Sequence, residues 1–380
     1  MIVYPGLQWC GYGLAAAAMA YGVISCLAVS LRIRPPRFTA RYMPAVTILK
    51  PLCGAEPETY ECLRSFCDQA YPEFQVIFGV SDSNDPAVAI VHRLQAEFPQ
   101  RDLQLVVDRR QHGSSRKVSN LINMMPLARH DFLVLSDSDV RVKSDYLAKV
   151  TAPLLDSGVG IVTCAYRGCP RPGLWPLLGS LFINEWFMPS VRVAAMAGSR
   201  SFAFGVTIAI RRQVLARIGG FMAIANQLAD DYRLGELTRG LGLRTVLSEV
   251  VVETCVVEHN FAQLARHELR WLRTIRALQP LGYGFSFVTF GMPVAILGVL
   301  LAGGAAPAVA MLGITALARI VLHLSVRERG STLLQFAALP LRDVLSLSFW
   351  AWSFATRRVH WREDSYRVTR DGSVQPVART

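Results

Sequence analysis

Between Leu281 and Ala318 the chain carries no Lys, Arg, Asp or Glu. One bilayer crossing needs only about 20 residues. This run is longer, and Gly303-Gly304-Ala305-Ala306-Pro307 breaks it near the middle. It predicts a transmembrane hairpin. A second charge-free run, Trp9 to Leu31, predicts one further crossing. Nothing basic precedes it and no small-residue cleavage site is evident, so it reads as a retained anchor. Arg32, Arg34, Arg37 and Arg41 follow it, and Pro35-Pro36 stiffens the exit. The positive-inside rule then puts the N-terminus outside and the rest in the cytoplasm. Arg273 and Arg276 before the hairpin, with Arg327 and Arg329 after it, keep both its ends on that side. Ser331 to Ala355 is apolar but interrupted by Pro340, Arg342 and Asp343. It predicts an interfacial or re-entrant helix, with a full crossing as the alternative. Composition agrees: 52% of residues are hydrophobic, 18% are charged, and the mean hydropathy is +0.31. The net charge of +12 suits nucleic acid or an anionic membrane. No aromatic-interleaved basic strand or zinc-finger spacing favours nucleic acid, so the bilayer is the expected partner.

From Ala45 the pattern changes to short apolar runs alternating with helical segments. Strands are expected at Val46–Leu49, Val76–Val80, Leu103–Val107, Phe132–Leu135, Ile161–Thr163, Phe202–Ile210 (broken by Gly205) and Val250–Val252. Helices are expected at Tyr60–Gln69, Ala87–Phe98, Val118–Met125, Asp145–Leu155, from Ala229 to near Gly240, and at Phe261–Leu278. Such alternation implies a mainly parallel sheet with helices on both faces and right-handed crossovers. Gly173–Ala197, rich in Trp and Phe, reads either as a core helix or as a lipid- or acceptor-facing surface. The expected division is an anchor with a basic linker over 1–41, an α/β domain over 42–280, the hairpin over 281–326, and the interfacial helix with a basic tail over 327–380.

The α/β domain is organised around Phe132–Asp139. An apolar strand delivers Asp137 and Asp139 to the carboxyl edge of the sheet, where open α/β sheets bind ligands. Two carboxylates one residue apart repel unless a positive group sits between them. A divalent hard cation holding a phosphate-bearing substrate supplies it; the plainer alternative is a helix cap beside a solvated side chain. Asp85 past the second strand and Asp230-Asp231 at a helix start are further acidic candidates, each with a capping alternative. The eight cysteines read as reduced thiols; the Cys62/Cys67 and Cys164/Cys169 spacings fit structural zinc poorly.

Several motifs carry a family resemblance. They are Ile48-Leu49-Lys50-Pro51-Leu52-Cys53-Gly54, Asp85-Pro86-Ala87, Lys117-Val118-Ser119-Asn120-Leu121, Asp137-Ser138-Asp139-Val140-Arg141, Asp230-Asp231-Tyr232 and His267-Glu268-Leu269-Arg270-Trp271. In this order and spacing the chain resembles membrane-bound, processive-type glycosyltransferases with a GT-A fold, a Rossmann-like nucleotide-diphospho-sugar transferase domain. It most resembles the ceramide glucosyltransferase family (family 21) and bacterial hopanoid-associated glycosyltransferases, and Ile183–Ala197 leans towards the latter. The resemblance runs from about Pro44 through the hairpin. It implies a cytoplasmic catalytic domain in a bacterial inner membrane, a UDP-sugar donor and a membrane-lipid acceptor. Pro51, Gly54, Asp85, Lys117 and Asp137 are implied on the nucleotide side. Asp137 and Asp139 would hold magnesium or manganese. Asp231 is the implied general base with Asp230 beside it, and Arg270 and Trp271 end a Gln/Arg-x-x-Arg-Trp motif. His267 departs from that motif at its first position, which questions the need for a permanent charge there. One base and no second carboxylate nucleophile imply inversion at the anomeric carbon. Rival readings are a polysaccharide synthase, which wants more membrane helices, and a non-catalytic scaffold, against which the intact acidic set speaks. A transporter lacks the membrane segments.

Overall fold

The computed structural model describes residues 4–31, 42–327, 333–356, 358–361, 364–368 and 374–376. The linker arginines 32–41 and Arg329 lie outside the described residues. In chain order the α-helices are α1 (Pro5–Ser30), α2 (Thr59–Cys67), α3 (Ala87–Glu97), α4 (Arg116–Met124), α5 (Tyr146–Thr151), α6 (Leu174–Phe182), α7 (Met188–Met196), α8 (Arg212–Arg217), α9 (Asp230–Gly240), α10 (Phe261–Leu278), α11 (Pro280–Phe285), α12 (Gly291–Leu301), α13 (Ala306–Val326) and α14 (Leu333–Ser353). The strands are β1 (Val46–Pro51), β2 (Phe74–Val80), β3 (Asp102–Val107), β4 (Phe132–Leu135), β5 (Val140–Arg141), β6 (Val159–Pro170), β7 (Ile208–Arg211), β8 (Arg244–Val256), β9 (Arg358–Trp361), β10 (Asp364–Val368) and β11 (Val374–Pro376).

One eight-stranded sheet has the order β3-β2-β1-β4-β7-β6-β8-β5. Its first four strands are parallel, as the βα alternation predicts. The second half departs from the expected parallel arrangement. Strand β7 is antiparallel to both β4 and β6, and β5 is antiparallel to β8, so the sheet is mixed. Side-chain periodicity reports which face a residue occupies and carries no information on which strand lies beside it. The strand expected at Phe202–Ile210 is confined to Ile208–Arg211, with one bridge between Phe204 and Thr207. Phe202 and Phe204 stack on each other, and Phe204 packs on Tyr166 and Phe187 instead of extending a ladder. Strands β6 and β8 are far longer than their apolar centres suggest, because each completes the other in parallel. The tail, expected only as basic and polar, forms the antiparallel sheet β11-β10-β9. Apolar side chains bury both faces of the large sheet: Ile48, Val76 and Val134 on one, Leu49, Ile77 and Leu133 on the other.

Helices α1 and α13 are long and apolar enough to cross a membrane. The first arm of the expected hairpin is not one straight helix. Pro280–Thr289 and Gly291–Leu301 meet the same test only as a pair, bent by 76°. Pro293 offers no amide hydrogen and crowds the Thr289 carbonyl four residues earlier, and the helix breaks at Phe290. Small residues let α1 and α12 touch backbone to backbone: a Cβ on Gly11 would lie 2.6 Å from Gly298 O, and one on Gly298 would lie 2.8 Å from Gly11 O. Helix α14 continues through Pro340 and is not among the candidate spans. It packs on α10, α6 and α12, with Arg342 fully buried. Gly173–Ala197 forms α6, a π-helical turn (Ile183–Phe187) and α7. Leu177, Leu178, Leu181 and Phe182 are core.

Candidate active site

The carboxyl ends of β1 and β4 are neighbours, which puts Lys50 beside the Asp137 turn. Lys50 is fully buried within an apolar strand. Its ammonium donates to the Asp137 carbonyl and to Ser136 Oγ (3.4 Å), and sits 3.8 Å from the centre of the Phe66 ring. Burial pushes its pKa down to about 8, against the charges of Asp137 and Asp139. Past the turn, β8 holds Asp139: Cys255 N donates to its carbonyl (3.1 Å) and Thr254 Oγ1 to its Oδ2 (2.7 Å).

Lys117 stands in the first turn of α4, which Ser115 caps by accepting from Val118 N (3.3 Å). Its Nζ lies 2.7 Å from Asp137 Oδ1 and 3.2 Å from Asp230 Oδ2. Burial alone would lower its pKa, but Asp137, Asp230 and Asp231 together hold it well above the ordinary lysine value. Asp230 and Asp231 open α9, close to the Lys117 ammonium. Gly205 N donates to Asp231 Oδ2 (2.8 Å), and Tyr232 N donates to Oδ1 (2.7 Å). Burial, and after it the Asp230 charge, push the Asp231 pKa up to about 6 against the pull of Lys117. Gly205 lies where these side chains converge. A Cβ there would meet Lys117 Nζ at 3.0 Å, Asp137 Oδ2 at 3.2 Å and Asp231 Oδ2 at 3.4 Å.

Helix α10 supplies the third side. Burial lowers the Arg270 pKa, and the charges of Asp137, Asp231 and Asp139 oppose the shift. Trp271 joins an aromatic cluster with Tyr166 (6.3 Å between ring centres), Phe182 (6.3 Å), Phe187 (6.5 Å) and His267 (4.6 Å). His267 Nδ1 lies 2.5 Å from Glu258 Oε1, so this side chain is bound to a carboxylate one loop away. Gln279 Nε2, just past α10, donates to Tyr232 OH (2.9 Å) and ties α10 to α9.

A separate corner of the same sheet edge holds Pro51, Gly54 and Asp85. Both Asp85 oxygens accept from Gly54 N (3.0 and 2.8 Å), and Oδ1 accepts from Ala87 N (2.9 Å) at the start of α3. The carboxylate thus shapes the turn after β1, where Gly54 takes φ +74°. Asp137, Asp139, Lys117, Asp230, Asp231 and Arg270 form one electrostatic cluster. Lys50, named in the sequence only within a motif, and Gly205, named only as a strand break, join the site together with Thr254 and Glu258, which the sequence did not single out. Lys50 left a local signal as a cation inside an apolar strand, and Gly205 as a glycine breaking one.

Among the described residues, no set of three or more His, Cys, Asp or Glu gathers to cage a metal ion. Asp137 and Asp139 nonetheless fit a hard divalent cation that draws its remaining ligands from a diphosphate. Asp137 is about a third exposed, with its carboxylate at the Gly205 cradle. None of the described cysteines forms a disulfide. Cys62 Sγ lies 3.5 Å from Cys255 Sγ instead of pairing with Cys67.

Known proteins share this architecture. The mannosyltransferase of Pyrobaculum calidifontis, solved in complex with GDP-Man and Mn2+, superposes with a TM-score of 0.52 at 21% identity, over 92% of this chain and 95% of that one. The likeness establishes the GT-A fold. Ceramide glucosyltransferase 3 of Caenorhabditis elegans is 25% identical over 210 residues, 54% of this chain and 45% of that protein. The ceramide glucosyltransferase of Komagataella phaffii is 33% identical over 120 residues, 30% of this chain and 24% of that protein. The chain thus spans less than half the length of either relative. The family model described as glycosyl transferase family 21 matches residues 11–374, and the chain belongs to that family.

Proposed function

We propose that the chain is an inverting glycosyltransferase. It moves a hexose, glucose or N-acetylglucosamine, from a UDP-sugar to a hydroxyl of a membrane lipid, ceramide or a hopanoid polyol. The reaction takes place at the cytoplasmic face of a bacterial inner membrane. The observation that carries this reading is the convergence of Lys117, Asp137, Asp230 and Asp231 around Gly205. The ceramide glucosyltransferases among its relatives support a lipid acceptor. The candidate spans α1 and α13 support a membrane site.

In this reading Asp231 is the base. Gly205 N and Tyr232 N fix its carboxylate, and its raised pKa suits proton acceptance near neutral pH. The acceptor oxygen attacks the anomeric carbon and gives its proton to Asp231. The bond from that carbon to the phosphate oxygen breaks, and UDP leaves with the electron pair. Displacement on the face opposite the leaving group inverts the configuration. Lys117 keeps Asp137 and Asp230 in place, and Arg270 adds positive charge where the diphosphate gains negative charge. Pro51, Gly54 and Asp85 form the nucleotide side. Magnesium or manganese, held by Asp137 and Asp139, would neutralise the diphosphate. His267 and Trp271 position Arg270 from the same helix. Residues 42–280 are the catalytic domain, 1–41 the anchor and linker, 281–326 the hairpin, and 327–380 the interfacial or re-entrant helix with its tail.

Asp231→Asn tests the base. Transfer is expected to fall by about 10²–10⁴-fold while UDP binding, read by titration calorimetry, stays close to wild type. Loss of UDP binding in that variant removes the assignment.

A further inference from the structure

Two thiols 193 residues apart in sequence meet beside the acidic turn that follows β4. Cys62, buried on α2, has its Sγ 3.5 Å from that of Cys255, which lies partly exposed on β8. Neither thiol takes part in the sugar-transfer steps described above. We infer that Cys62 and Cys255 are a redox pair, which a peroxide-class oxidant closes to a disulfide, and that closure weakens the hold on the donor diphosphate. The effect on the donor rests on the reading of Asp137 and Asp139 as the turn that holds the metal and diphosphate.

Three observations carry it. First, the two sulfurs are already in contact, so a bond between them needs only a small approach. They also differ in access. Cys255 meets the oxidant, and Cys62, 1% exposed, stands behind it as the resolving thiol. Second, the other core thiols lack this access. Cys67, on the same helix, is fully buried and donates to the Leu63 carbonyl (3.5 Å), and Cys164 is fully buried as well.

Third, the pair joins the two elements that flank the acidic turn. On the α2 side, Phe66 follows Cys62 by one helical turn, and its ring lies 3.8 Å from the Lys50 ammonium, which donates to the Asp137 carbonyl. On the β8 side, Cys255 N donates to the Asp139 carbonyl (3.1 Å), and its neighbour Thr254 donates to Asp139 Oδ2 (2.7 Å). Bonding the sulfurs draws α2 towards β8 and so acts on both supports of the turn. Hydrogen-bonded supports of metal-holding carboxylates are worth about 10–100-fold in metal affinity.

The chemistry balances with one peroxide per pair. The Cys255 sulfur attacks a peroxide oxygen; the S–O bond forms, the O–O bond breaks, and hydroxide leaves with the thiol proton as water. The Cys62 sulfur then attacks the sulfenic sulfur of Cys255. The S–S bond forms, the S–O bond breaks, and a second water leaves with the Cys62 proton. Two electrons pass from the thiols to the peroxide. In a reducing compartment the pair rests open, and thiol exchange reopens it after closure.

The test uses the full-length protein in detergent, reduced and then freed of reductant. It is exposed to hydrogen peroxide, its remaining thiols are alkylated, and its peptides are mapped by mass. A peptide linking Cys62 to Cys255 is expected, and dithiothreitol should abolish it. Titration calorimetry with UDP in manganese should show Kd rising by roughly tenfold on oxidation and returning with dithiothreitol. Cys62→Ala should bind UDP as reduced wild type does and lose the response to peroxide, whereas Cys169→Ala should keep the response. The inference is overturned if no such link forms at tenfold excess peroxide, or if Cys255 links to Cys169 instead. It is also overturned if the mapped bridge leaves UDP affinity unchanged. The wild-type map and titration decide the matter even if Cys62→Ala fails to fold. A reversible Cys62–Cys255 link in protein that binds no UDP even when reduced would keep the thiol pair and remove the donor-site reading.

Discussion

A carboxylate accepts a proton near neutral pH only when its surroundings raise its proton affinity. Asp231 meets this condition because burial and Asp230 act on it together, lifting its pKa to about 6. Below that value the carboxyl keeps its own proton and cannot take one from an acceptor. The log of kcat/KM should therefore fall by about one per pH unit below about 6 and level off above it, as a pH–rate profile would read. A flat profile from pH 5 to 7 would separate Asp231 from the chemistry. Gly205 gives a second prediction. Its Cβ neighbours are the ends of Lys117, Asp137 and Asp231, so Gly205→Ala should leave the melting temperature nearly unchanged. It should lower kcat/KM by roughly 10²-fold through displaced side chains. The acidic residues of this cluster were legible because each stands at a strand end or helix start within a short motif. Gly205, Thr254 and Glu258 were not. Their roles come from contacts across 26, 115 and 9 residues of sequence, which no local pattern encodes.

At the scale of elements, α10 matters most, since it brings Arg270 and Trp271 to the sheet. It is fixed from behind by Glu268, which accepts two hydrogen bonds from the fully buried Arg342 of α14. Removing one partner of such a pair leaves a buried charge and costs about 3–5 kcal/mol, whereas removing both costs far less. Arg342→Met should thus lower thermal stability sharply, and adding Glu268→Leu should recover most of the loss. Equal destabilisation in the single and double variants would show that the pair does not anchor α10. The strands β1 to β4 and helix α10 were legible from apolar runs and 3.6-residue periodicity. The insertion of β7 between β4 and β6 was not, because strand order is set by long-range pairing. The bend at Phe290 follows from Pro293, a residue that the uncharged run concealed.

For the whole molecule, the sequence divides cleanly by charge. Uncharged runs form α1, α12 and α13 as far as Ala318, and the α/β alternation forms the large sheet. Packing of α1 on α12 through Gly11 and Gly298 fastens the N-terminal helix to the hairpin. The aromatic segment between β6 and β7 then joins the membrane helices to the sheet edge. Trp186 Nε1 donates to Thr289 Oγ1 (2.8 Å), and Phe187 packs on Tyr166. This joining element was visible in composition, but whether its rings faced lipid or core depended on neighbours far away in sequence. The arrangement puts the carboxyl edge of the sheet beside the candidate membrane helices, as the proposed lipid glycosyltransferase would need. The most direct test is a transfer assay in detergent with magnesium. It crosses UDP-glucose and UDP-N-acetylglucosamine with ceramide and bacteriohopanetetrol and reads products by mass. Glycosylated lipid from at least one pair is predicted. No product from any of the four pairs, with folded protein that binds UDP, would contradict the account.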